Sequence, residues 1–133
     1  MKMLAVVGVL ILLSALWLRF EFTLPKKYQF RKCEGAHWRR AFPQATKHDI
    51  REFLLLFTAA FAFRDSDKLK FSPNDRVWEI YRDLYPNRWV ADALELETLT
   101  DELKAKHGIT LDEIWSEKLT LGQLFARAQR AGI

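Results

Sequence analysis

From Met3 to Leu18 the chain runs without a single charge, then breaks into charged and aromatic sequence at Arg19. A run of this kind predicts an apolar helix. At about 1.5 Å per residue it covers roughly 24 Å, the length of a short bilayer span. Trp17 and Phe20 stand where interfacial aromatics belong, and Arg19 is placed to snorkel. A cleaved signal would require small residues at the cleavage site. Ser14-Ala15 is instead followed by bulky Leu16 and Trp17, with no A-x-A pattern. The expectation is an uncleaved transmembrane anchor over residues 1–22, touching the lipid bilayer through residues 3–18.

Residues 23–45 mix Pro25, Gly35 and Pro43 with aromatics and charges, and read as a neck. His37 to Phe42 has the makings of a short helical turn packing on the domain. A helical domain follows over 46–133. Thr46 caps a helix running from about Lys47 to Phe63, with Asp49 near the positive end of its dipole. Its apolar stretch, Phe53 to Phe63, is too short to cross a membrane and predicts a central helix buried on most sides. Ser72-Pro73-Asn74-Asp75 carries the signals of a helix start, with Val77, Trp78, Tyr81, Leu84 and Tyr85 on one face and Pro86 at the end. The next helix spans about Ala91 to His107, with Leu96, Leu99 and Leu103 on one side and Gly108 as the stop. Ile109 to Trp115 is a loop with one turn of helix. Thr120 and Gln123 form a capping box for a last helix that buries Leu121, Leu124, Phe125 and Ala128. Nothing reads as a strand, so the fold class is all-α: a transmembrane helix followed by a small four-helix bundle.

Half of the 133 residues are hydrophobic, enough for one domain with a real core. The net charge of +4 is unevenly spread. Residues 19–47 carry Arg19, Lys26, Lys27, Arg31, Lys32, Arg39, Arg40 and Lys47 against Glu21 and Glu34, while the rest of the domain is mildly acidic. The basic balance therefore belongs to the neck, which argues against nucleic acid as a partner. By the positive-inside rule the neck places the domain on the cytoplasmic side of the inner membrane, as a single-pass protein. A lone cysteine, Cys33, suits a reducing compartment.

Ala91-Asp92-Ala93-Leu94 and the residues that follow it, over about 91–119, resemble the second half of an acyl carrier protein, with Lys47–Phe63 in the place of that family's first helix. In the family a serine between the aspartate and the leucine holds the phosphopantetheine arm. The likeness continues through Leu99 and Leu103, the polar loop with Ile109 and Leu111, and Glu117-Lys118-Leu119-Thr120. Within the family it is most similar to bacterial acyl-carrier-like proteins of unknown function. Val90 stands where carriers have a glycine, and Ala93 stands where they have the serine. A phosphodiester arm needs an oxygen nucleophile, which alanine lacks. The resemblance implies a carrier fold without cofactor. Ser72, a helix cap, and Ser116 are poor substitutes. The resemblance also implies a partner-reading surface on the acidic second helix, made of Asp92, Glu95, Glu97, Asp101 and Glu102, for a protein with a basic patch.

Other chemistry is sparse. His37, His48 and His107 are scattered, and none is spaced with Cys33 as a metal ligand set. No glycine-rich phosphate loop and no Ser/His/Asp pattern stands out. The reading is a non-enzymatic binding module. The alternatives are a carrier-like protein that handles acyl chains beside membrane lipid enzymes, and a structural subunit whose Phe53–Phe63 helix packs into a larger complex.

Overall fold

The computed structural model describes residues 2–18, 24–84 and 94–131. The N-terminal apolar run forms helix α1, Lys2–Leu18. It has 17 residues, about 25 Å of rise against the roughly 30 Å of a bilayer core. No helix among the described residues is long and apolar enough to cross a membrane. The expectation of a transmembrane helix is therefore corrected. The uncharged run is shorter than a span, and Lys2 falls inside the helix rather than flanking it. The expected single-pass placement in the inner membrane, with the domain facing the cytoplasm, rested on that span and falls with it. The described side chains of α1 are exposed, from Met3 at 83% to Val7 at 51%.

Two short helices, α2 (Lys26–Gln29) and α3 (Gly35–Ala41), precede the longer ones. The segment that reads as a neck supplies Leu24, Tyr28 and Trp38 to the same core as the rest of the domain. Trp38 is fully buried, and its indole N–H donates to the Phe71 carbonyl at 2.8 Å. Lys70 Nζ donates to the Gln29 carbonyl at 2.8 Å, strapping α2 to the domain.

Helix α4, Lys47–Ala60, starts as the sequence predicts, with Thr46 Oγ1 accepting from the Asp49 N–H at 3.0 Å. It ends earlier than the apolar run suggests. Phe63 N–H bonds the Thr58 carbonyl and Ala62 N–H bonds the Ala59 carbonyl, a Schellman stop. The left-handed residue of that stop is Ala62, at φ 57°. No glycine marks the turn in the sequence, which is why Phe61 and Phe63 read as more helix. They are buried beyond its end.

A 3-10 helix, Asp65–Lys70, leads to Ser72. Helix α5 is Val77–Leu84, beginning several residues after the predicted cap. The backbone of residues 72–77 is committed elsewhere. Pro73 O accepts from Gly122, Asp75 O accepts from Leu121, and Val77 N–H donates to Leu119 O. Arg76 and Thr120 thereby form an isolated antiparallel bridge.

Helix α6 is Leu94–His107, closed by Gly108 at φ +65°, whose N–H returns to the Lys104 carbonyl. A single turn, α7 (Leu111–Ile114), leads to α8 (Leu121–Ala131). The capping box is present in both directions: Gln123 N–H donates to Thr120 Oγ1 at 3.1 Å, and Thr120 N–H to Gln123 Oε1 at 3.0 Å. The described residues are helical and contain no strand, so the all-α class holds.

The core holds two clusters of rings within one set of buried residues. Trp38, Phe42, Phe53 and Phe125 meet at one end, with centroids 4.8 to 6.3 Å apart. Phe57, Phe61, Phe63 and Phe71 meet at the other, at 4.7 to 6.3 Å. Leu99 and Leu103 seal α6 onto α4 with no exposed surface.

Candidate functional site

Helix α6 packs on α4 through Leu99 and Leu103, and this decides where its acids go. Glu95 lies one turn before Leu99 on the same stripe and is only 5% exposed. Glu97 and Asp101 lie off that stripe and face solvent. Glu102 is half-buried and pairs with Lys106 at 3.5 Å. Asp92 and Ala93 lie outside the described residues. The acids expected to form one partner-reading surface are thus divided. Glu97 and Asp101 share the outer side of α6, Glu102 turns toward α4, and Glu95 is withdrawn from solvent.

Where Glu102 points, a groove opens between α4 and α6, with a volume of about 660 Å³. Thr98, Glu102 and Lys106 form its α6 wall at four-residue spacing. Glu52, Leu55 and Ala59 form the α4 wall, and the chain leaving the Schellman turn adds Ala62 and Asp65. Ala59 is exposed and Leu55 and Ala62 are half-buried, so apolar surface remains open to solvent along the floor. The rim holds three carboxylates, Glu52, Asp65 and Glu102, against the single cation Lys106. Glu52 has a weak partner in His48 at 3.9 Å, and Asp65 one in Lys68 at 3.4 Å. All three acids are at the surface, where such pairs contribute little and are readily exchanged.

Glu52 and Asp65 were not legible in the sequence as site residues. Glu52 is one turn from Leu55 and two from Ala59, the edge of α4 that the core leaves uncovered. Asp65 arrives only because the helix stops at Ala60.

A second cluster carries the side chains of a hydrolytic site without its geometry. Glu34 Oε2 and Ser72 Oγ both approach the same nitrogen of His37, Nδ1, at 3.3 and 3.2 Å. Asn74 Nδ2 stands 3.5 Å from Nε2. A catalytic triad needs base and orienter on opposite ring nitrogens. Ser72 Oγ is further engaged by the Asn74 N–H at 3.2 Å, so it acts as a turn cap.

Beside it, Arg31 makes two bonds to Asp75, at 2.5 and 2.8 Å, and lies over the Tyr28 ring at 4.7 Å. Asp75 is 8% exposed and also accepts the Ser72 N–H. The hydrogen bond to Asp75 raises the Arg31 pKa. Burial, reinforced by the Asp75 and Asp83 carboxylates and opposed by Arg31, pushes the Tyr28 phenol well above its usual range. These groups tie α2 to the loop before α5. Among the described residues no three His, Cys, Asp or Glu side chains gather as a metal site.

Comparison of the chain with known protein families, characterised proteins and solved structures returns no match.

Proposed function

We propose that this chain is a non-enzymatic protein-binding module with a degenerate acyl-carrier-like domain, which docks a cationic, amphipathic segment of a partner in the α4–α6 groove. The observation that carries this reading is the composition of the groove. An open apolar floor of Leu55, Ala59 and Ala62 lies between acids on both walls. The floor supplies burial, worth roughly 25 cal/mol per Å² of apolar surface covered. The rim supplies orientation and association rate, because complementary charge steers encounter more than it adds affinity. Glu97 and Asp101, on the outer side of α6, extend the same negative field.

The carrier-like part of the reading is supported by burial at the positions the resemblance names. Leu99 and Leu103 have no exposed surface, and Ile109 and Leu111 are 8% and 3% exposed. With alanine at position 93 such a domain loses the carrier's means of carrying, while Glu97, Asp101 and Glu102 of the acidic helix stay within reach of a partner. The rival reading, a subunit that packs its Phe53–Phe63 helix into a larger assembly, has less support, since Phe53, Phe57, Phe61 and Phe63 already lie in this domain's own core.

The test is site-specific photocrosslinking in host cells, with a photoreactive residue at Ala59 and, as control, at Lys118. The expected product is a discrete adduct from position 59 alone, abolished by Glu102→Lys and formed through a Lys/Arg-rich peptide of the partner. Adducts of equal yield at both positions, or a crosslinked peptide without basic residues, would refute the assignment.

A further inference from the structure

A second cleft, of about 230 Å³, lies where α3, the start of α4 and the 3-10 helix meet. Arg39, Lys47 and Arg51 line it, with Ile50, Leu69 and the exposed thiol of Cys33, and no acid among the described residues lines it. None of the three cations forms an ion pair among the described residues. Their neighbours do: Lys68 pairs with Asp65 at 3.4 Å, Lys70 with Asp67 at 3.7 Å, and Arg31 with Asp75. The arrangement is unfavourable as it stands. Lys47 and Arg51 are four residues apart on one helix face, where like charges repel. Lys47 is also the first residue of α4, at the end of the helix dipole that disfavours a cation. Arg39 brings a third positive charge from another element onto the same cleft. Ile50, 3% exposed, fixes the α4 side through the core.

We infer that this cleft binds a phosphate-type dianion. Two guanidinium forks and an ammonium match the tetrahedral oxygens of a phosphate group, and arginine engages such groups through paired N–H donors. The volume falls below the range of about 300–1,000 Å³ usual for larger organic ligands, so a compact anion or the phosphate end of a small ester fits it. Counter-charge delivered there relieves the repulsion among the three cations. This site is separate from the α4–α6 groove and of opposite sign, and it stands or falls independently of the docking proposal.

The experiment is a calorimetric titration of the full chain with inorganic phosphate at fixed ionic strength, with acetate as the reference anion. Alkylation of Cys33, the chain's single thiol, is followed in parallel as a local reporter. Phosphate is expected to give a saturable one-site isotherm and to slow alkylation, with acetate giving neither. Arg39→Ala and Arg51→Ala should each weaken phosphate binding tenfold or more, while Lys118→Ala, away from the cleft, should leave it unchanged. Thermal melts of the variants show whether the fold is kept. No saturable heat, equal effects of acetate, or unaltered affinity in well-folded Arg39→Ala and Arg51→Ala overturns the inference. Glycerol phosphate and vesicles containing phosphatidic acid then identify the source. Protection of Cys33 by the soluble ester alone assigns a free small molecule, protection by the vesicles assigns a lipid headgroup, and protection by neither counts against the site.

Discussion

At the scale of single residues, the structure separates contacts that hold the fold from those free to act. Arg31 and Asp75 are a case of the first. Asp75 is nearly buried, so Arg31→Met leaves a desolvated carboxylate with only the Ser72 N–H beside it. That change should cost about 2–3 kcal/mol in urea unfolding; a loss within 0.5 kcal/mol, roughly the effect of an ordinary surface substitution, would mean that the pair is idle. Tyr28 gives a pH signature. Its folded pKa is raised, so above about pH 10 the unfolded chain releases the phenol proton that the folded chain retains. Its contribution is fully present below that pH and is lost as pH rises beyond it. Tyr28→Phe should therefore lose less stability than the parent between pH 8 and pH 10.5, and parallel urea midpoints at the two values would contradict this. Ala62, at φ 57°, holds a conformation that costs a residue with a Cβ roughly 1–2 kcal/mol. Ala62→Gly is expected to recover about 1 kcal/mol of it, after the added freedom of the unfolded chain is deducted. A lowered melting temperature would show that the Ala62 methyl contributes packing that outweighs the strain.

At the scale of elements, the junction between the loop before α5 and the start of α8 is a close contact between backbones. A Cβ at Gly122 would come within 2.8 Å of the Pro73 carbonyl oxygen, which the Gly122 N–H itself bonds at 2.9 Å. Gly122→Ala should destabilise by about 1–3 kcal/mol. Gly8→Ala, in open space on α1, should leave the melting temperature of the domain unchanged. A neutral Gly122→Ala would show that the two backbones separate without cost. This junction also shows what the sequence could and could not reveal. The caps of α4 and α8 were readable because they depend on side chains a few residues apart: Thr46 with Asp49, and Thr120 with Gln123. The start of α5 was misplaced because Ser72 to Asp75 caps a local turn rather than a helix, while the Pro73 and Asp75 carbonyls accept from Gly122 and Leu121 and the Asp75 carboxylate holds Arg31. The place of Leu24 and Tyr28 in the core escaped because isolated apolar residues among charges show no period, whereas the turn around Trp38 was legible as packing on the domain. The membrane span failed on length, a matter of a few residues at the ends of α1.

At the scale of the whole molecule, charge is divided between two surfaces. The α4–α6 groove gathers Glu52, Asp65 and Glu102 beside apolar floor, and the cleft at the start of α4 gathers Arg39, Lys47 and Arg51. The sequence made the acidity of α6 legible but not its direction, because α6 turns Glu95 inward along the Leu99 and Leu103 stripe and only Glu102 toward α4. The most direct test of the docking face is amide chemical-shift mapping with a synthetic amphipathic helix of leucine and lysine, against a leucine and glutamate helix of equal length. Saturable shifts are expected for the lysine peptide at Leu55, Ala59, Thr98 and Glu102. They should weaken as salt rises, fall at least tenfold in affinity in Glu52→Lys/Glu102→Lys, and be absent with the glutamate peptide. Shifts scattered over the surface, or centred away from α4 and α6, would contradict it.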